Sequence, residues 1–99
     1  MPRSTDDIIR ILVRLKEILA GSRESDWAAL APGEVITILE RELESLRESG
    51  QLHNKTELAS LFAPTAELQE ISMANGWSDE YVRLSSAFDT AIRDLPDAL

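Results

Sequence analysis

The 99-residue chain carries eighteen Asp and Glu against ten Lys and Arg, one His and no Cys, a net charge of −8 at pH 7. Its 43% hydrophobic content supplies a core, so it is not a solvated acidic tail. Its length reads as a single domain, residues 1–99, that buries roughly 60–65% of its unfolded surface. The lack of Cys excludes disulfides, thiolate metal sites and thiol nucleophiles, and the negative charge disfavours nucleic acid and anionic membranes as partners.

Apolar spacing predicts helices from end to end. In the first, Ile8, Ile11, Leu12, Leu15, Ile18 and Leu19 fall on one helical face. Ser4 or Thr5 is the expected N-cap, Asp6 and Asp7 suit the positive end of the helix dipole, and Gly21 closes the helix. Ile9 and Val13 lie one turn apart, off that face. This surplus strip implies either that the helix is sandwiched within the bundle or that the strip meets another chain. The stretch Ile8 to Leu19 is the most apolar in the sequence. It is broken by Arg10, Arg14, Lys16 and Glu17, and falls well short of the roughly 20 apolar residues of a membrane span. Met1 to Thr5 has no charged start running into an unbroken apolar segment, so the expected location is cytoplasmic.

A helical turn is predicted over Ser25 to Leu30, ending at Ala31-Pro32-Gly33. A longer helix follows from about Glu34 to Glu48, with Val35, Ile38, Leu39, Leu43 and Leu46 inward. Glu40, Glu42, Glu44 and Glu48 are expected to point mostly outward, and Ser49-Gly50 is the stop signal. Asn54 is the expected cap of Lys55 to Phe62, and Pro64 breaks the pattern before a helix over Thr65 to Ala74. Asn75-Gly76 provides a Schellman-type stop over which Trp77 can fold. Tyr81, Leu84, Phe88, Ala91 and Leu95 then form the buried stripe of a last helix that begins at Ser78 and ends at Pro96. With no strand-like alternation, the expected fold is all-α, a single small bundle of about four to six helices without a sheet.

The sequence offers no catalytic, metal or cofactor set. His53 is the only imidazole and lies in a turn, where a solvated loop histidine is the simplest reading, and no serine sits in a nucleophile-elbow pattern. The carboxylates lack calcium-loop spacing, and no Glu-x-x-His pair or glycine-rich phosphate loop is present. The segments Thr56 to Phe62 and Thr65 to Ser72 have helix-turn-helix lengths. However, the would-be recognition helix holds Glu67 and Glu70 and no Lys or Arg, where a DNA reader needs cations.

The charge is divided along the chain. Residues 1–23 carry five basic and three acidic side chains, a net of +2, and residues 24–99 carry five basic and fifteen acidic, a net of −10. One consequence is a cationic first helix docked on an acidic body, its arginines reaching nearby carboxylates. Another is an acidic field that draws in a basic protein. Trp27, Trp77 and Tyr81 lie at helix starts or junctions, where they either plug the core or form an aromatic anchor beside the acidic rim of Glu34, Glu40, Glu44 and Glu48.

The run Leu61-Phe62-Ala63-Pro64-Thr65 through Leu68-Gln69-Glu70-Ile71, with Asn75-Gly76-Trp77, Tyr81 and Phe88-Asp89, resembles small helical bacterial proteins. Some of these are similar to immunity proteins of toxin–immunity systems. The resemblance covers about thirty residues and carries no binding residue across. It implies an inhibitor, and the −10 segment with the lack of a catalytic set adds the expectation of a non-enzymatic immunity or antitoxin-type module whose acidic face binds a basic partner protein. The alternative is a self-associating scaffold or accessory subunit, a homodimer formed through Ile9 and Val13.

Overall fold

The computed structural model describes residues 3–24, 28, 30–63 and 66–95. These form five helices: α1 (Arg3–Ala20), α2 (Pro32–Ser49), α3 (Lys55–Leu61), α4 (Glu67–Asn75) and α5 (Ser78–Ile92). There is no strand among the described residues, so the fold is the all-α bundle that the spacing predicts. The segment expected to form a helical turn near Ser25 falls largely outside the described residues, as do Trp27, Pro64, Thr65 and Pro96.

α1 lies between α2 and α5, while α4 packs on α5 and α3 on α2. Its stripe of Ile8, Ile11, Leu12, Leu15 and Leu19 is buried, and Ile18 is half-buried. Ile9 and Val13 are half-buried against the same core. One cluster joins all five helices, through side chains such as Leu12, Leu39, Leu58, Leu68 and Phe88. Burial of such side chains contributes about 1.5–3 kcal/mol each and is the main force holding the bundle together.

Several helix ends differ from expectation. α1 begins at Arg3, so Ser4 and Thr5 belong to its first turn and neither is an N-cap. The Ser4 hydroxyl instead donates to Asp94 Oδ2 at 3.2 Å, bridging the first and last described turns. Thr5 is fully buried and its hydroxyl has no hydrogen-bond partner among the described residues. α2 starts two residues early because Pro32 suits the first helical turn, where no N–H is needed. Gly50 ends α2 in the left-handed region at φ 73°, and its N–H donates to Leu46 O. Asn54 caps α3, its Oδ1 accepting the Glu57 N–H at 3.0 Å. Gly76 closes α4 at φ 79°. The N–H groups of Gly76 and Trp77 both donate to Ser72 O, and the Trp77 bond gives the six-residue closure of a Schellman motif.

Glu42 is the largest departure. Expected to face outward, it is completely buried. Position 42 lies three residues after Leu39 and four before Leu46, so the helix turns it inward with them. Its carboxylate accepts the backbone N–H of His53 at 2.7 Å on Oε1 and that of Asn54 at 3.0 Å on Oε2. The charge is therefore bound to main-chain donors, which makes its burial tolerable.

Replacing Glu42 by Ala strands those two donors and is expected to destabilise the fold by about 2–4 kcal/mol. Glu44→Ala, on the exposed side of the same helix, should change stability by no more than about 0.5 kcal/mol. Urea unfolding midpoints check both. Thr5→Val removes a buried hydroxyl that has no partner and is expected to be neutral or to stabilise by up to about 1 kcal/mol in the same assay.

Candidate protein-binding face

The cations of α1 are largely engaged within the molecule. Arg14 meets Glu80 of α5 in a two-pronged pair, with Nε 2.6 Å from Oε2 and Nη2 3.0 Å from Oε1. The hydrogen bond from Arg14 holds the Glu80 carboxyl below its ordinary range, and the same bond raises the Arg14 guanidinium. Lys16 lies 3.4 Å from Glu40 of α2, and Arg10 pairs with Asp7 on its own helix at 3.6 Å. This is the docking of a cationic helix on an acidic body that the charge division implies.

Some of the carboxylates that the pairing leaves over lie along α2. Glu40, Glu44 and Glu48 follow one another at four-residue intervals, so they line one side of α2. Two shallow surface grooves adjoin this line. One is bordered by Val13, Lys16, Glu17, Leu43 and Arg47, and the other by Lys16, Glu40, Leu43, Glu44, Arg47 and Glu48. Lys16, Leu43 and Arg47 border both, so they form one continuous surface along the α1–α2 seam. Among the described residues, Glu44 and Glu48 enter no ion pair.

Glu34 does not join this line. Its Oε1 accepts the Ala31 N–H at 3.1 Å, which ties it to the start of α2. Lying six residues before Glu40, it is also turned about 120° around the helix axis from it, off the four-residue row. The aromatics do not join it either. Tyr81 is buried, its ring 6.3 Å from Phe62, and its hydroxyl donates to Phe62 O at 3.3 Å. Phe62 stacks on Phe88 at 3.8 Å, and Trp77 meets Tyr81 edge-on at 6.3 Å. Phe88, Phe62, Tyr81 and Trp77 thus form one row on the α5 side of α1, away from the seam. Trp77 is half-buried, and its Nε1 donates to Ser22 Oγ at 3.0 Å. The described aromatics are therefore core and joint residues, not an anchor ringed by carboxylates; Trp27 lies outside the described residues. Sequence spacing identified α5's stripe but held no signal that Phe62, past the end of α3, would enter between two of its rings.

His53 is exposed and is held through its backbone N–H. Among the described residues, no group of three or more His, Asp and Glu side chains is placed to hold a metal ion. No described helix is long and apolar enough to cross a membrane. No protein-family model, curated protein or solved structure matches the chain.

Burial raises the pKa of Tyr81 above its ordinary value of 10.0. A group whose folded pKa is raised contributes stability that is complete below the unfolded value and lost as pH rises through the folded one. The fold is therefore expected to weaken above pH 10. Tyr81 is the only tyrosine, so tyrosinate absorbance reads it directly. The native transition should fall above that of the urea-unfolded chain, and coincident transitions would remove the assignment.

Proposed function

We propose that this protein is a non-enzymatic binding module of immunity or antitoxin type, which inhibits a basic partner protein by covering it with the α1–α2 seam. The observation that carries this reading is the exposed line of Glu40, Glu44 and Glu48 beside the grooves that the half-buried Val13 and the buried Leu43 border. Whereas Arg14 and Lys16 of α1 pair across helices, Glu44 and Glu48 enter no ion pair among the described residues. A basic segment laid along the seam replaces their solvent counter-ions, and the aliphatic floor supplies apolar contact. A nuclease, whose substrate groove is cationic, is a partner class with matching charge. The likeness of the Leu61 to Asp89 region to immunity-type proteins supports the same reading.

Electrostatic attraction of this kind acts mainly on the rate of encounter and is screened by salt. Affinity capture from the protein's own cells, followed by mass spectrometry, is expected to recover a cationic protein. With that partner immobilised, the double variant Glu44→Lys, Glu48→Lys should associate about tenfold or more slowly at low ionic strength, with the gap closing as salt is added. Neither substitution disturbs an ion pair among the described residues, so the variant is expected to remain folded. An association rate that ignores both substitutions and salt would rule out the acidic seam as the binding face.

A further inference from the structure

The joint between the end of α1 and the α4–α5 turn is made by one side-chain amide. Asn75 Oδ1 accepts the Arg23 N–H at 2.7 Å, and Nδ2 donates to Arg23 O at 2.8 Å and to Ile71 O at 2.9 Å. Next to it, the Trp77 indole donates to Ser22 Oγ, which itself donates to Ile18 O at 2.9 Å. The amide thus completes a clasp between segments 52 residues apart, and it does so by using both its acceptor and its donors.

The residue after Asn75 is Gly76, the neighbour least able to shield an asparagine from its own backbone. We infer that Asn75 is a self-modification site, a deamidation centre that the clasp keeps closed. In the reaction the Gly76 nitrogen attacks Asn75 Cγ. A C–N bond forms, the Cγ–Nδ2 bond breaks, and the amide leaves as ammonia with the proton lost from Gly76. Water then opens the resulting cyclic imide at either carbonyl, leaving an aspartyl or an isoaspartyl residue. No oxidant, reductant or enzyme is required.

The folded structure blocks each part of this step. The Gly76 N–H is committed to Ser72 O in a left-handed turn, and the Asn75 amide is fixed by Arg23 and Ile71 on both its oxygen and its nitrogen. Reaction therefore proceeds from a locally opened state in which the turn has come apart. Once it occurs, the clasp does not re-form. A carboxylate at position 75 has no N–H to give, and it brings a negative charge against the carbonyls of Arg23 and Ile71. The isoaspartyl product also inserts an extra main-chain carbon at the cap of α4. Each opening thus risks a permanent loss of the joint, and the state of position 75 records how often the turn has opened.

Asn54, the other asparagine, is the internal control, because it precedes Lys55 and caps α3. The full chain, incubated in mildly alkaline buffer and followed by peptide mass mapping, should convert Asn75 ahead of Asn54. Conversion should be about tenfold or more slower in the native chain than in urea. Ser22→Ala removes the Trp77 contact without altering the reacting atoms, and it should speed native conversion while leaving the rate in urea unchanged. Asn75→Asp should lose hydrogen-exchange protection at the Trp77 indole. Equal native and unfolded rates, or a Ser22→Ala chain that converts no faster than the parent, would overturn the gating. Prior conversion of Asn54 would overturn the assignment of the site. The Ser22→Ala arm decides the matter even if Asn75→Asp does not fold.

Discussion

A carboxylate removed from water fixes the geometry of the connection between α2 and α3. Glu42 reaches the backbone N–H groups of His53 and Asn54, so the chain leaving Gly50 is drawn back against the helix it has just left. Leu52 is pressed into the core, Asn54 is placed to cap α3, and α3 delivers Phe62 between Tyr81 and Phe88. The aromatic row therefore depends on hydrogen bonds that a buried carboxylate of α2 accepts from the main chain. A neutral core residue at position 42 could fill the space but could not organise two amide donors.

The same economy governs the surface charge. A chain at −8 repels itself, and the structure offsets part of that repulsion by setting α1 between two acidic helices and reaching outward with Arg14 and Lys16. Arg41 and Glu57 pair between α2 and α3 in the same way. Part of the remaining charge lies where α2 turns Glu44 and Glu48 to solvent, beside the grooves of the α1–α2 seam.

Much of this was legible in the sequence, because helical period is a local property. The stripes of α1 and α5, the left-handed glycines and the Asn54 cap all follow from neighbours within about four residues. Glu42 was legible in position and concealed by identity: the spacing from Leu39 and to Leu46 turned it inward, while its charge argued for solvent. The start of α2 was misplaced because Pro32-Gly33 reads as a break, although proline also opens helices. The aromatic row and the Asn75 clasp could not be read at all, since they join segments 19 and 52 residues apart and leave no periodic trace. Glu34, which composition treats like Glu44 and Glu48, is set apart by its local capping contact with Ala31.

The central place of α1 also has a consequence for the order in which the molecule is made. Chains emerge from the ribosome N-terminus first, and α1 is complete long before α5, against which half of its apolar circumference rests. Ser4 and Asp94, which touch in the finished fold, are separated by 90 positions. Pairing with α2 covers one flank early and leaves Ile11, which lies beside Ala87 and Ala91 of α5, incompletely sheltered until the last helix arrives. The nascent chain thus passes through a stage in which its first helix is half-dressed and carries a net positive charge, the inverse of the acidic surface that the folded protein presents.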